Sequence, residues 1–423
     1  MTRSRRERLV LVFPRRQLDA FIASAERLEC DLVVVPRTDE VALWNTGLPP
    51  SIVGVEPWSG PLGGLDLVYF LERLIEDYGA TGIVGLHDAA LLAVSSAAES
   101  YGLSSLDPEV VAALRSKGAL REVLSQHDMP TPRFVVGLLD TPFVNEALQL
   151  PLPLVVKPAD GFSSIGVERV ERYEDVAPAC ERALVAMRRA GMLAGEVVIE
   201  EYVDGPEYAV ESISYGGRTR VLTIGYKGRP SGPYFEESVY RIPSGLTPEA
   251  ERDIRAVVEQ AHVALGIDTG PAHTELRVGR NGKPYILEIG ARVGGSGVSH
   301  VLVEAVTGID YFAEVFAVAL GRRPSVLDLD QCAPIRAAGN YIVPCGGGGT
   351  ISEIRGLETV RKHPAVTDVV QMMRAGDRVR PYPEFSGYPA FILSVHDDLD
   401  QLFTFHQHLD RDVSVRYEEH HDR

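Results

Sequence analysis

Cysteine is scarce and scattered: the 423 residues hold four, at Cys30, Cys180, Cys332 and Cys345, and no two form a paired motif. That excludes a cysteine-based zinc site and fits a reducing compartment. Basic residues are in deficit, 42 Lys and Arg against 59 Asp and Glu, for a formal net charge of −17. Nucleic acid and membrane surfaces both call for a basic field, so neither is expected as a partner. Long apolar runs are missing too. The opening MTRSRRERLVLVFPRR is basic, but its apolar run spans only Leu9 to Phe13 before Pro14. That is too short for a signal peptide or a membrane span, and a cytoplasmic location is expected. No GxGxxG follows the first strand-like run, and no GK[ST] closes a glycine loop, so the dinucleotide fingerprint and the Walker motif are both absent. There is no internal repeat. The glycine run 346–349 has neither a lysine nor a following helix signal, and reads as a turn rather than a phosphate cradle.

What is present is an ordinary globular composition, 45% hydrophobic and 24% charged, in a chain long enough for about two to four domains. Residues 1–107 alternate strand-like runs (RLVLVF, DLVVVP, GIVGL) with helical patterns over Ala20–Leu28 and Leu65–Tyr78. This predicts a Rossmann-like α/β domain with a parallel sheet. After GIVGL, His87 and Asp88 either face a crevice at a strand end or, the plainer reading, Asp88 caps a helix. A second region opens with a helix from Pro108 to about His127, a proline-rich turn and the strand PLVVKP, and becomes strand-dominated beyond Glu196. A third begins near 323 and ends in a strand, AFILSV, and a helix from Leu399 to about Leu409. The expected class is therefore multidomain α/β and α+β, divided as 1–107, 108–322 and 323–423, with the middle piece in two lobes of about 108–195 and 196–322.

HTELRVGRNGKPYILEIGAR, residues 273–292, carries a glutamate on each arm of a hairpin centred on Asn281-Gly282. A two-residue type I′ turn there pairs Glu275 with Glu288 and puts both on one face, opposite Thr274, Leu276, Val278, Leu287 and Ile289. Directly opposed Cβ atoms lie about 5 Å apart, and like charges so placed repel. The two carboxylates either share a proton, hold a cation between them, or stand on a solvated face where repulsion is tolerated.

PLVVKPADGFSSIGV puts Lys157 at the end of a buried strand, before a loop containing Gly161, Ser163, Ser164 and Gly166. Small residues let backbone N–H groups and hydroxyls face an anion, and the lysine adds a point charge. A second lysine, Lys117, lies upstream in a helix, where simple solvation is the alternative. In VVIEEYVDGPEYAVE the strand ends near Val203, where free backbone can bond a planar base edge. Glu200 and Glu201 are nearby acceptors, and Glu207 follows a Gly-Pro turn where a carboxylate can take ribose hydroxyls.

In this order, over about residues 108–322, the motifs resemble the ATP-grasp superfamily. The resemblance implies a two-lobed ATP-grasp fold in which Lys117 and Lys157 contact phosphates and 160–166 form the mobile glycine-rich loop, so that Ser163, Ser164 and Gly166 sit beside ATP. It makes Glu200, Glu201 and Val203 the adenine hinge, Glu207 the ribose carboxylate, Glu275 and Glu288 the magnesium ligands, and Arg292 the arginine that holds a reacting acyl phosphate. Two magnesium ions are expected, with manganese as a substitute. Many relatives have asparagine where this chain has Gly290, so Glu288 would bridge both ions or a water would complete the shell. EIGARVGG is similar to the carboxylate–amine ligases that make dipeptides, the L-amino acid ligase and carnosine synthase type.

The implied chemistry is ATP-dependent amide formation between a small carboxylate and an amine, with a homodimer as the usual assembly of similar proteins. Gly294, Gly295, Ser296 and Glu237 are the candidate substrate contacts. Where that branch often has a histidine, this chain reads Ser238-Val239-Tyr240, a departure that bears on amino-acid recognition. Two alternatives stand beside it: an ATP-grasp carboxylase or nucleotide-biosynthesis enzyme using an acyl phosphate, and an ATP-binding protein without turnover.

Overall fold

The computed structural model describes residues 6–14, 18–44, 47–139, 141–161, 165–189, 195–329, 332, 334–380, 382 and 387–418. Four short strands, β1 (Arg8–Val12), β2 (Asp31–Val35), β3 (Ile52–Val55) and β4 (Gly82–Gly85), make a parallel sheet in the order β3-β2-β1-β4. Leu9 to Val12 and Leu32 to Val35 are all buried. Such unbroken apolar runs are what a sheet covered on both faces requires. One cover is the helix Tyr311–Ala319, contributed from more than two hundred residues away: Phe312 lies 4.5 Å, centroid to centroid, from Phe21 on the helix Leu18–Arg27. The N-terminal domain thus shares one core with the middle of the chain.

A second sheet holds β5 (Phe134–Gly137), β6 (Leu154–Pro158), β7 (Glu168–Val170) and β8 (Val197–Glu201) in the order β5-β8-β6-β7. The expected lobe boundary at 195 therefore moves: β8 completes the first lobe's sheet, and the chain crosses over at 202–206. The expected single helix from 108 to 127 is also interrupted, into Pro108–Arg115 and Lys117–Gln126. Ser116 takes an extended conformation, its hydroxyl caps Ala119 N–H, and Lys117 N–H donates to Ala159 O at 2.9 Å. The break ties the second helix to the end of β6.

The largest sheet has eight strands. β9 (Glu207–Tyr215), β10 (Arg218–Gly228), β11 (Val239–Ile242), β12 (Gly270–Val278) and β13 (Pro284–Gly290) continue into the C-terminal region, in the order β13-β12-β9-β10-β11-β14-β18-β16. Here β14 is Ala337–Ile342, and beyond it lie β15 (Gly349–Arg355), β16 (Val366–Gln371), β17 (Arg378–Val379), β18 (Ala390–His396) and β19 (Ser414–Tyr417). The expected division at 322/323 does not interrupt this sheet, because β14 pairs directly with β11. The helix Leu399–Asp412 covers β14 and β18, and β17-β15-β19 form a small separate sheet. Among the described residues no helix is long and apolar enough to cross a membrane.

The β12–β13 hairpin pairs Glu275 with Glu288, but not through the expected turn. Gly282 takes φ 77° while Asn281 does not enter the left-handed region, and Gly279 N–H donates to Lys283 O at 2.9 Å. The loop is thus three residues long, Arg280 to Gly282, which shifts the pairing next to it by one (Val278 with Pro284). A bulge at Leu287 shifts it back. Leu287, expected on the core face with Ile289, instead lines the cavity beside Glu288.

Candidate functional site

A cleft opens between the two lobes. Its walls bring together Lys117, Lys157, Glu200, Glu201, Val203, Glu207, Glu237, Glu275 and Glu288.

On the first-lobe wall, Val155 pairs with Glu200 and Lys157 with Val198, so Lys157 and Glu200 are diagonal neighbours on one face of the sheet. Lys157 Nζ donates to Glu200 Oε1 at 2.6 Å, and Arg121, wholly buried, donates to the same carboxylate from Nε at 2.8 Å. Burial alone would raise the Glu200 carboxyl, but Arg121 and Lys157 hold it at about 2. Burial pushes the Lys157 ammonium down to about 7, Arg121 adds to the fall, and Glu200 offsets only part. One carboxylate thus serves two cations, and the surplus positive charge is an invitation to an anion. Lys117, at the first turn of its helix, is buried rather than solvated; its Nζ lies 2.8 Å from Gly161 O and 3.1 Å from Glu288 Oε2. Glu200 faces the cavity, whereas the Glu201 carboxylate turns outward to Arg133 at 3.0 Å. Ser163 and Ser164 lie outside the described residues. Gly166, with φ 76°, packs on Pro158 and Ala183, and it is its neighbour Val167 that lines the cavity.

The opposite wall is acidic. Carboxylate oxygens of Glu207, Glu237 and Glu275 lie within 4.8 Å of one another. Lys227 sits among them, with Nζ 3.0, 2.7 and 2.6 Å from Glu207, Glu237 and Glu275 respectively. Its position comes from a bulge in β10: Tyr226 pairs with Tyr208 and Gly228 with Glu207, leaving Lys227 as the extra residue. Burial would lower the Lys227 ammonium, but the three carboxylates raise it well above its ordinary range. Burial would likewise raise Glu275, which Lys227 and His273 hold well below the usual carboxylate range. Glu207 also takes Arg277 from the directly paired position on β12, with Nε to Oε2 at 3.1 Å.

These groups bear on the expected metal. Magnesium prefers hard oxygen donors, and the wall offers Glu207, Glu237, Glu275 and Glu288. Lys227 holds three of these carboxylates and Lys117 the fourth, so ammonium groups stand where cations belong and the donor set fits the ion.

Behind this wall Glu211, fully buried, accepts from Gly294 N–H at 3.0 Å and contacts His273 Nδ1 at 2.5 Å, while His273 Nε2 is 3.5 Å from Glu275. His273 and Glu211 are directly paired across β12 and β9. Burial would depress the His273 ring, but Glu211 and Glu275 raise it to about 9. Gly295 and Ser296 are exposed next to Gly294; Ser296 takes φ 53°, and its carbonyl accepts from the buried Asn340 at 3.0 Å. Tyr240 is core, bonded to Ala209 O at 3.3 Å. Strand β13 stops at Gly290, so strand alternation does not place Arg292. Arg292 is nonetheless mostly buried, with Nε 2.7 Å from Asp88 Oδ1. Nor does Asp88 cap the following turn: His87 does, its ring accepting from Ala89 N–H.

Sequence reasoning missed Arg121, Lys227, Glu211 and His273, and preferred a capping role for Asp88 over the crevice. His273 and Glu211 were within reach, being polar residues inside apolar strand patterns. Lys227 was not, because a bulge leaves no mark on the period-2 pattern.

Residues 150–300 match a family model described as the ATP-grasp domain, and residues 342–418 one described as L-amino acid ligase C-terminal domain 2. The L-amino acid ligase from Bacillus licheniformis, a solved structure, is 35% identical with a TM-score of 0.83, over 99% of this chain and 100% of that one. The D-alanine–D-alanine ligase of Cupriavidus necator is 32% identical over 203 residues, 46% of this chain and 60% of that protein. Several curated ligases are matched over only 60% of their length. The biotin carboxylase domain of the Hydrogenobacter thermophilus 2-oxoglutarate carboxylase, at 16% identity and a TM-score of 0.74, shares the fold. The full-length match at 35% identity, together with the two family models, decides the assignment: the chain belongs to the L-amino acid ligase family of ATP-grasp proteins.

Proposed function

We propose that the chain joins the carboxylate of one amino acid to the amine of another, using ATP and releasing ADP and phosphate. The observation that carries this reading is the opposed pair Glu275 and Glu288, each already seated on an ammonium, across the cavity from the surplus cation Lys157. Family membership favours amino acids as substrates. In this reading Lys117, Lys157 and Lys227 hold phosphate oxygens, Glu200 and the backbone at Val203 take the adenine edge, and Glu207 takes the ribose. Glu275 and Glu288 would hold magnesium or manganese, as two ions. The bound metal would supply charge that offsets the build-up on the phosphates during transfer.

The carboxylate of the first substrate attacks the γ-phosphorus in line; the new P–O bond forms as the bond to ADP breaks, giving an acyl phosphate. The amine of the second substrate then attacks the acyl carbon. The attack forms the C–N bond of a tetrahedral intermediate; its collapse restores C=O and expels phosphate with the C–O electron pair, and the amine proton goes to solvent. Arg292 binds the oxyanion and phosphate charge of that intermediate. In the same reading Glu237 takes a substrate ammonium, and Gly294, Gly295 and Ser296 border the substrate.

The three-part division at 107 and 322 belongs to the same reading, with the lobe crossover at 202–206. A second copy of the chain is the expected partner, which light scattering on the purified protein would measure. The function is tested by incubating the protein with magnesium, ATP and pooled amino acids. ADP, phosphate and a new amide by mass spectrometry are expected; ATP left intact across a broad panel would refute the reading. Glu288→Gln should lower turnover by about a hundredfold or more.

A further inference from the structure

Arg292 has left its strand. Sheet pairing ends at Gly290, so nothing in the β-ladder fixes the side chain that the proposed chemistry needs aimed. What fixes it comes from the N-terminal domain. We propose that Asp88 is the positioning residue for Arg292, so that the first domain completes the reacting centre; this rests on the reading of Arg292 given above.

Three observations carry the assignment. The first is the way the guanidinium is held. Nε donates to Asp88 Oδ1 at 2.7 Å, and NH1 donates to Val293 O at 2.9 Å. A guanidinium has five N–H donors in a fixed plane. Among the described residues two are engaged, one on Nε and one on Nη1, and the remaining three, on Nη1 and Nη2, are left for a planar anion, the geometry of bidentate recognition.

The second is the space. A Cβ at Gly290 would already lie 3.6 Å from Asp88 Oδ1 and 3.7 Å from the Arg292 Cγ. A longer side chain at 290 would enter the volume in which the pair meets, so the glycine and the pair belong together.

The third is where Asp88 stands. β4 ends at Gly85, and Asp88 opens the turn beyond it, at the carboxyl end of a parallel sheet, the place where such sheets present ligand-contacting groups. The turn is held from both ends. The His87 ring accepts from Ala89 N–H at 3.2 Å, and Ala90 is completely buried in the domain's core. Asp88 therefore projects from a rigid element, which is what a positioning group requires.

The test is a double-mutant cycle on the full chain, with an amino-acid pair that the unmodified protein joins, reading kcat, KM for ATP and the thermal midpoint. Arg292→Ala is expected to lower kcat by about a hundredfold or more. Asp88→Ala should lower it by about a hundredfold, the scale of an ångström-sized misplacement, with KM for ATP within about twofold. Asp88→Asn, which keeps an acceptor oxygen, should recover to within about tenfold of the unmodified rate. The double variant should be no slower than Arg292→Ala alone. Losses that multiply, or an unaltered rate in Asp88→Ala, would overturn the proposal. Full activity in Arg292→Ala would instead sink the functional reading of the arginine. Should the alanine variant not fold, Asp88→Asn runs the same cycle: a several-fold loss that vanishes without Arg292 supports positioning, and an unchanged rate or a persisting loss refutes it.

Discussion

Gly294 and Gly295 are neighbours in a loop, yet one added methyl group should affect them oppositely. At Gly294 a Cβ would fall inside the contact radius of Glu211 Oε1 and 2.9 Å from His273 Nδ1. Neither atom can step aside freely. Glu211 is fully buried, one oxygen against His273 at 2.5 Å and the other taking Gly294 N–H at 3.0 Å. Relief needs a shift on the order of an ångström. Overpacking of this kind costs about 1–3 kcal/mol. Weakening a hydrogen bond to a charged group adds part of a further ~1.5–3 kcal/mol, so Gly294→Ala should destabilise the chain by about 3 kcal/mol. At Gly295 nothing lies within 4 Å of an added Cβ and φ is not positive, so Gly295→Ala should stay within about 0.5 kcal/mol. Denaturant unfolding of both variants checks this. Because Glu211 touches His273, which reaches Glu275, the Gly294 change should also cost about a hundredfold in kcat/KM. Equal stabilities for the two variants would refute the claim that Glu211 locks this loop.

Two further outcomes follow from buried charge. Glu200→Ala strands Arg121 and Lys157, whose side chains are 0% and 6% exposed, and should destabilise the protein by about 3–5 kcal/mol in denaturant; a change below about 0.5 kcal/mol would mean the carboxylate is not their counter-ion. His273 gives a pH dependence. Its folded pKa, about 9, lies above the ordinary 6.5, so its stabilisation is complete below 6.5 and lost as pH rises through 9. At about 1.4 kcal/mol per unit, the stability gap between the chain and His273→Gln should shrink by about 3 kcal/mol from near pH 6 to near pH 10. A gap independent of pH would mean that His273 is not charged in the fold.

The sequence shows plainly what is local and periodic. Continuous valine and leucine runs mark the parallel strands, and the Glu275–Glu288 pairing is legible from the hairpin. That pairing is reached in the fold by another route, since a longer loop and the bulge at Leu287 are two single-residue shifts that cancel. Period-2 reading sees neither of these, nor the bulge in β10, and so it misassigned Leu287 and overlooked Lys227. The helix break at Ser116 is of a middle kind. Serine followed by unsatisfied N–H groups is a start signal, but the bond from Lys117 N–H to Ala159 O that fixes the break is tertiary. Asp88 and Arg292, 204 residues apart, meet only once two domains pack, and no spacing encodes that.

The charges explain how a site proposed to take triphosphate and metal folds without either. In the proposed reading the acids await a divalent ion and the lysines phosphate; either set alone would be uncompensated, and buried uncompensated charge is among the costliest features a fold can carry. Here each set satisfies the other: Lys227 sits among Glu207, Glu237 and Glu275, and Lys117 rests on Glu288. In the proposed reaction, binding would be an exchange of partners: the carboxylates would leave the ammonium groups for the metal, and the lysines would leave the carboxylates for the phosphates. Metal alone would turn out the ammonium groups with no anion to receive them, and nucleotide alone would draw them off and leave the carboxylates to repel. The arrangement therefore favours metal and nucleotide arriving as one complex, whose two halves replace the two halves of the internal network together.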